Sequence, residues 1–285
     1  MTTSLSIDVY VTPMRPFAGA PAAGDGDLPM WSPMSATLIS GETDAVLVDT
    51  LVTFDQVDAL SDWIQAHGKN LVAIYITHGH ADHWIGLSRL LERFPQAKAV
   101  ATSEVVARAE FESTDPTVST YWQTIFAGEI PSRPVLPQAL ADDVIELEGF
   151  ELRVVRVARG DTEFSTVLHV PSIAAVIAGD VVYNGVHMMT AETGPIEREQ
   201  WVSSLDAVAA LDPRIVVAGH KRIDNEDGPE TIEQTRQYLR DFSRIVAEEK
   251  DPATIVSRML KLHGDRDNPR TLWHAARAAA ARAGR

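Results

Sequence analysis

The sequence has no cysteine, so disulfide bonds, thiolate metal ligands and cysteine nucleophiles are excluded over all 285 residues. Any bound metal must therefore rest on histidine and carboxylate side chains. Positive charge is also scarce, because 25 lysines and arginines face 40 acidic residues and the formal net charge is -15. A nucleic-acid-binding surface needs basic patches, so we expect no nucleic acid partner.

Long apolar runs are absent as well. No run approaches the roughly 18 residues that a membrane-spanning helix needs, so we predict no membrane segment. Residues 1–17 lack the basic segment followed by an apolar one that is typical of a secretory signal, and we therefore expect a cytoplasmic protein. The composition, 45% hydrophobic and 23% charged, is that of an ordinary globular domain.

The most informative feature of the sequence is a cluster of metal-ligand side chains at residues 77–83. Three of the nine histidines and one aspartate lie there, in the order His78, His80, Asp82 and His83. The apolar run 71–76 just before it predicts a short buried strand, so the cluster begins where the chain turns. Four ligands this close suit two neighbouring ions better than one. We predict that His78 and His80 bind one ion, and that Asp82 and His83 bind the other.

The His-x-His-x-Asp-His pattern resembles the signature of the metallo-β-lactamase superfamily. Three further segments follow the order of that family: residues 46–50, 178–180 and 216–220. The resemblance covers residues 5–245 and implies an αββα sandwich of mixed α/β class with the metals at one edge. It also implies that Asp180 bridges two metals, that His220 completes the second site, and that Asp49 supports the metal loop from outside the ligand shell.

One ligand implied by the resemblance is missing. Family members usually carry a histidine in a Gly-His-Thr-like turn before the bridging aspartate, and here Arg159 lies 21 residues before Asp180. Arginine stays protonated and has no lone pair for a metal. The first site is therefore empty, with Arg159 beside Asp180, or weak, or completed by Asp161 or Glu163. We favour a defective first site. The expected cofactor is zinc, as one or two ions, with iron or manganese as alternatives.

These residues imply a metal-dependent hydrolase. A divalent ion lowers the pKa of bound water to about 7, and the resulting hydroxide attacks a carbonyl carbon. We predict Asp82, Asp180 and Arg159 as catalytic residues, the carboxylates orienting the water and the guanidinium donating to the oxyanion. The substrate would contain a carboxylic ester, lactone, thioester or amide bond, including a β-lactam. The alternative is a catalytically impaired small-molecule-binding or accessory biosynthetic protein. An iron-dependent oxygenase is a weaker hypothesis, since that branch needs the missing histidine.

Aromatic residues near the motifs favour an apolar or aromatic small-molecule substrate. Trp84, which follows His83, and His187, seven residues after Asp180, are the predicted substrate contacts. Six more residues belong either to an apolar mouth or to the core: Trp31, Tyr121, Trp122, Tyr183, Met188 and Met189. The segment 17–29, rich in glycine, alanine and proline, is either a loop over the site or a plain connector.

The end of the chain differs from the rest. Strand and helix patterns alternate up to residue 218, and three helices are predicted at 229–248, 252–263 and 269–283, each with proline at its start. We predict a metallo-β-lactamase-like domain over residues 1–228 and a helical extension over 229–285 packed on it, as a lid or a buttress. His263 and His274 are interpreted as surface residues. The oligomeric state does not follow from the sequence.

Overall fold

The structure is a computed structural model that describes residues 4–17 and 29–284. The proposed loop over the site therefore lies almost entirely outside the described residues. The strands are β1 (Ser6–Val11), β2 (Arg15–Pro16), β3 (Met30–Trp31), β4 (Ser35–Ser40), β5 (Asp44–Val48), β6 (Asn70–Tyr75), β7 (Lys98–Ala101), β8 (Gln138–Ala139), β9 (Val144–Leu147), β10 (Phe150–Arg156), β11 (Thr166–Val170), β12 (Ala175–Asn184) and β13 (Ile215–Lys221). The helices are α1 (Phe54–Ala66), α2 (Ala81–Trp84), α3 (Leu87–Arg93), α4 (Ser103–Thr114), α5 (Pro116–Ile125), α6 (Pro195–Ala209), α7 (Glu230–Glu248), α8 (Pro252–His263) and α9 (Pro269–Ala283).

Two large sheets form the centre of the molecule. The first has the strand order β1-β4-β5-β6-β7-β8, and the second has the order β13-β12-β11-β10-β9. β5 and β6 run parallel with Val48 opposite Tyr75, and β12 and β13 run parallel with Tyr183 opposite His220. Parallel neighbours end at the same edge of a sheet, so the residues that follow β5 and β6 lie close together.

Helices cover the outer face of each sheet. Between the sheets, Val48 and Tyr75 of the first pack with Leu168 and Val217 of the second in one apolar core. A second core joins the first sheet to α1, α3, α4 and α5, and a third joins the second sheet to α6, α7, α8 and α9. These four layers confirm the predicted αββα sandwich. Among the described residues, none of the helices combines the length and apolar character that a bilayer crossing requires.

The three tail helices belong to the core of the second sheet. Phe242 of α7, Met259 of α8 and Leu272 of α9 are buried in one cluster with Trp201 of α6. α8 begins where the Asp251 side chain accepts a hydrogen bond from the Thr254 backbone N–H at 2.9 Å, the cap that the sequence signal predicts. The residues before and after position 228 thus share one core. The division of the chain at residue 228 stays a prediction.

Two elements differ from the sequence-based prediction. The apolar run 174–178 predicts a strand, and in the structure this strand continues to Asn184 as β12, which carries Asp180 and Tyr183 within the sheet. The pattern of residues 84–94 predicts one helix, whereas α2 ends at Trp84 and α3 begins at Leu87, after Gly86. A Cβ at Gly86 would overlap the carbonyl oxygen of Leu51, so the chain turns here through a space that only glycine fits.

Candidate metal centre

The histidine cluster is held in place by Asp49, which directly follows β5. Its Oδ1 accepts a hydrogen bond from the backbone N–H of Thr77, and its Oδ2 accepts one from the Thr77 hydroxyl, both at 2.8 Å. Oδ2 also lies 3.0 Å from Nδ1 of His83. Asp49 has a φ of 59°, a conformation that non-glycine residues seldom adopt outside functional loops. Asp49 thus contacts the loop of residues 77–83 from outside the ligand cluster, as the resemblance implies.

A first group of possible ligands consists of His78, His80 and Asp161. The Asp161 carboxylate lies 3.0 Å from Nδ1 of His80 and 3.9 Å from Nε2 of His78. The other nitrogen of each imidazole has a partner outside the group. Nδ1 of His78 is 3.0 Å from the Thr77 hydroxyl, and Nε2 of His80 is 3.2 Å from Glu192.

A second group consists of Asp82, His83 and His220. Nε2 of His220 lies 3.4 Å from both the Asp82 and the Asp180 carboxylates, and Nε2 of His83 lies 3.4 Å from Asp180. Nδ1 of His220 is 2.8 Å from the carbonyl oxygen of Pro33. The Tyr183 hydroxyl is 2.6 Å from Asp180 and 3.2 Å from Asp161, which connects the two groups.

The ligand atoms fit divalent metal ions. Nε2 of His78, Nε2 of His83, Oδ1 of Asp161 and Oδ1 of Asp180 are buried and have no hydrogen-bond partner among the described residues. A buried polar atom without a hydrogen-bond partner costs about 1–3 kcal/mol. Four such atoms at one place indicate that a cation would bind between them. In metal sites the second nitrogen of a ligating histidine is typically held by an oxygen, as each of the four imidazoles is here.

Carboxylates dominate the electrostatics of the centre. Burial alone would lower the pKa of His83, but Asp180, Asp82 and Asp49 outweigh it and raise that pKa to about 10. Burial would raise the pKa of Asp82, yet the neighbouring histidines, His83 first, lower it to about 2. Burial raises the pKa of Asp180 to about 6. Without metal, the buried carboxylates are therefore balanced by protons on imidazoles.

The structure places Asp161, and not Arg159, with the histidines of the first group. Its guanidinium donates to the carbonyl oxygen of Glu192 at 3.2 Å, and Arg159 does not line the cavity that contains the ligands. Among the described residues, no hydrogen bond or ion pair joins Arg159 to Asp180, so its catalytic role stays a prediction. Asp161 instead joins His78 and His80, whereas Glu163 is exposed. The turn Gly160-Asp161-Thr162 matches the Gly-His-Thr pattern with aspartate in place of histidine, a signal that the sequence already contained.

A cavity of about 360 Å³ opens over the ligands. Its wall includes five of the six residues proposed for an apolar mouth: Trp31, Tyr121, Trp122, Tyr183 and Met189. The prediction that Trp84 contacts the substrate is wrong. Trp84 is 1% exposed, donates its indole N–H to the Gly79 carbonyl and does not line this cavity. Met188 is buried in the core of the second sheet. His187, a predicted substrate contact, lines the cavity. His274 is exposed, as the sequence predicts, and also lines the cavity.

Three charged residues at the centre carried no signal in the sequence. Glu112 of α4 accepts a hydrogen bond from the Ala81 backbone N–H at 2.8 Å, at the start of α2. Arg108 lies 3.1 Å from both Glu112 and Glu192, and Glu192 in turn contacts His80. They come from separate parts of the chain, so only the tertiary structure brings them together. Their contacts hold the loop of residues 77–83 between α4 and the segment after β12.

Comparisons with known proteins agree with this fold. A family model described as the metallo-beta-lactamase superfamily matches residues 30–220. The fold is similar to that of a metallo-beta-lactamase family protein from Thermus thermophilus, with a TM-score of 0.61 and 18% identity over 95% of this chain and 91% of that chain. It is also similar to a metallo-beta-lactamase from Pontibacter korlensis, with a TM-score of 0.58 and 16% identity over 82% of this chain and 99% of that one.

Curated relatives match only a short segment. A hydroxyacylglutathione hydrolase from Synechococcus sp. (strain CC9902) is 43% identical over 60 residues, which are 21% of this chain and 22% of that protein. Another, from Parasynechococcus marenigrum (strain WH8102), is 37% identical over 70 residues, 25% of this chain and 26% of that protein. The chain thus spans about a quarter of the length of these relatives.

Proposed function

Since the chain belongs to the metallo-β-lactamase superfamily, we propose that it is a metal-dependent hydrolase that cleaves a carboxylic ester, lactone, thioester or amide bond in a small molecule. The observation that carries this proposal is the convergence of four imidazoles and three carboxylates, four of which have a buried inner atom without a hydrogen-bond partner. Zinc as the metal and the cytoplasm as the location are part of the proposal.

The ligands would divide between two ions. His78, His80 and Asp161 would hold one ion, and Asp82, His83 and His220 would hold the other. The Tyr183 hydroxyl donates to Asp180 and to Asp161 and so links Asp180 to both groups. Divalent ions there would supply Lewis acidity and a water of lowered pKa. We do not assign Arg159 a catalytic role, because it is not among the residues that line this cavity and its guanidinium donates to the backbone of Glu192.

Other side chains of the cavity would orient the reactants. Asp82 and Asp180 line it, so their carboxylates can accept a hydrogen bond from the attacking water and aim it at the substrate carbonyl. Burial, together with Asp161 and Asp180, raises the pKa of Tyr183 well above its usual value, so its hydroxyl keeps the proton that it donates to these carboxylates. Trp31, Tyr121 and Trp122 would bind the apolar part of the substrate and exclude water.

Among the four bond types, the thioester has specific support. The curated relatives are named hydroxyacylglutathione hydrolases, although the similarity covers about a quarter of them. The alternative of an impaired binding protein rests on a missing metal ligand. That support weakens because Asp161 occupies the place where a ligand was missing.

The test combines metal content with thiol release. Elemental analysis of protein purified without chelator should find about two ions per chain. Hydrolysis of an arylacetyl thioester can be followed with a thiol reagent without background, because the protein has no cysteine. Removal of metal by a chelator should abolish turnover, and added zinc should restore it. Turnover that resists complete metal removal would contradict the proposal. Bound metal without turnover of any of the four bond types would favour the binding protein.

A further inference from the structure

The cavity contains a second polar cluster, apart from the metal ligands. Ser32 follows β3, His187 follows β12, and Asn268 and Arg270 lie at the start of α9, and all four line the cavity. The backbone N–H of His187 donates to the carbonyl oxygen of Asp267 at 2.9 Å. With its amide in the better-bonded orientation, Asn268 accepts from the backbone N–H of Ser32 at 3.3 Å. Three separate segments are thus fastened together at one place.

Several polar atoms of this cluster are buried without a partner. They are Nε1 of Trp31, the hydroxyl oxygen of Ser32 and Nε2 of His187, none of which has a hydrogen bond to the described residues. His187 is fully buried and Ser32 is 9% exposed. Buried polar groups are nearly always paired in folded proteins, so three orphaned atoms in one cavity wall indicate that a ligand supplies the missing partner.

The hydrogen bonds around His187 make its free nitrogen a donor. Its Nδ1 lies 3.1 Å from the Tyr238 hydroxyl. That hydroxyl can donate its proton to Nδ1, which leaves the ring hydrogen on Nε2. Burial lowers the pKa of His187 to about 3, so the imidazole is neutral and carries its single hydrogen on Nε2. The indole of Trp31 is a donor in any case, and the hydroxyl of Ser32 can be one.

Arg270 adds a full positive charge to these donors. Its guanidinium lies 4.2 Å from the centre of the Phe17 ring, and no carboxylate of the described chain lies within ion-pair distance of it. Two of the acidic side chains in the same cavity, Glu112 and Glu192, are instead paired with Arg108. A guanidinium stacked on an aromatic ring keeps its donor edge available for a planar anion.

We propose that Trp31, Ser32, His187 and Arg270 form a subsite for a carboxylate group of the substrate. The inference rests on the proposed function and narrows it to acyl compounds that carry a carboxylate beside the bond to be hydrolysed. The aromatic wall formed by Trp31, Tyr121 and Trp122 would contact the part of the substrate between these two ends. Arg270 lies on α9, so the tail of the chain would determine substrate specificity.

Binding of phenylacetate and phenylacetamide to the metal-loaded protein tests the subsite directly. The two probes have the same shape and differ in charge, and calorimetry gives their affinities without turnover. Arg270→Met should weaken phenylacetate binding at least tenfold and leave phenylacetamide unchanged. Arg270→Lys should recover part of the loss, and Ser32→Ala should weaken phenylacetate binding a few-fold. Arg277→Met, at an exposed arginine of the same helix, is the matched control and should change neither affinity.

Equal phenylacetate affinity in the wild type and in Arg270→Met would overturn the subsite, since the anion would then bind at the metals alone. An equal loss for both probes would also overturn it and would indicate an altered cavity shape. Turnover keeps this result separate from the proposed function. S-phenylacetyl-3-mercaptopropionate and its terminal amide should both be hydrolysed by wild type, with a lower KM for the carboxylate. Chelator-sensitive turnover without that difference would refute the subsite and leave the hydrolase intact.

Discussion

At the scale of single residues, the distinctive feature is a carboxylate where the family resemblance implies a third histidine. With Asp161, each ligand group holds two imidazoles and one carboxylate. Together with Asp180, three negative charges would face two divalent ions, and one positive charge would remain. The two ligand groups contain the same donors, two imidazoles and one carboxylate. We therefore predict that both groups bind the same kind of metal ion, because the type of ligand determines which metal a site prefers.

Replacing Asp161 tests whether it is a ligand. Asp161→Ala should lower the metal content from about two ions to about one per chain, because His78 and His80 lose their only carboxylate partner within the group. Glu163→Gln, at the exposed carboxylate two residues away, is the control and should keep both ions. Arg159→His should also leave the content unchanged. Two tightly bound ions in Asp161→Ala would show that the first site is built differently.

Proton release offers a second test of the ligands. In the metal-free protein the pKa of His83 is raised to about 10 and that of Asp180 to about 6, so a metal must displace protons near neutral pH. Metal affinity should rise with pH between about 6 and 10. Calorimetry at pH 7.5 in buffers of different ionisation enthalpy should detect at least one proton released per metal-loaded chain. No dependence on the buffer would contradict the protonated state of His83.

The raised pKa of His83 also has a consequence for stability. A group whose folded pKa lies above its unfolded value stabilises the folded state below the unfolded value, and the contribution is lost as pH rises through the folded value. For His83 this window runs from about 6.5 to about 10. Metal-free protein should therefore lose stability across that window, whereas metal-loaded protein should not, because the ion replaces the proton. Thermal unfolding of both forms at several pH values checks this, and equal slopes would contradict it.

Most of the centre could be predicted from the sequence because its ligands occur in a dense local pattern. His78, His80, Asp82 and His83 fall within six residues. Asp161 is harder to identify from the sequence, because the expected spacing before Asp180 leads to Arg159. The aspartate of the Gly-Asp-Thr turn lies two residues after Arg159. The prediction for Trp84 is wrong for another reason: its proximity in sequence to a ligand does not determine the direction in which its side chain points.

At the scale of elements, the second site depends on the close approach of β12 and β13. The two strands run parallel, with register shifts between Ile177 and Tyr183. Gly219 of β13 lies against the Asp180 carboxylate of β12, and a Cβ at this position would overlap Oδ1 of Asp180 and approach the His83 ring at 2.9 Å. The glycine is thus required by the packing of ligands from different elements.

Gly219→Ala should reduce the metal content at the second site and lower thioester turnover at least tenfold, because the added methyl displaces Asp180 or His83. The fold should survive, since the two atoms that the methyl approaches most closely belong to the side chains of Asp180 and His83. Gly284→Ala is the matched control, because a Cβ there meets no atom closer than 3.9 Å. Elemental analysis and thermal unfolding of both variants give the comparison. Full metal content and turnover in Gly219→Ala would contradict the described geometry.

Element positions were predictable where a local pattern decides them, and not where distant contacts do. The apolar spacing of Val57, Leu60 and Ile64 predicts α1, and all three are buried. The extension of β12 to Asn184 depends on its pairing with β13, and the break between α2 and α3 depends on the carbonyl of Leu51. Neither partner is near in sequence, so periodicity could not reveal these contacts.

At the scale of the whole molecule, the helical tail completes both the core and the cavity. Tyr238, Phe242, Ile245, Met259 and Leu272 are buried with residues of the second sheet and α6. α9 also lines the cavity over the metal centre. A lid and a buttress are the alternatives that the sequence leaves open. The structure shows that the tail packs as a buttress and that its last helix forms a wall of the site.

Truncation separates these two roles. A chain that ends at residue 228 exposes the face of the second sheet and loses at least five large buried side chains, each worth about 1.5–3 kcal/mol. Their sum is comparable with the whole stability of a domain, so this chain should not give a cooperative thermal transition. A chain that ends at residue 268 keeps α7 and α8 and loses only Leu272, Ala275 and Ala276 from the core. It should unfold cooperatively at a lower temperature, bind metal as before and lose its preference for phenylacetate over phenylacetamide. A stable, metal-binding chain ending at 228 would instead show that the tail is a separate domain.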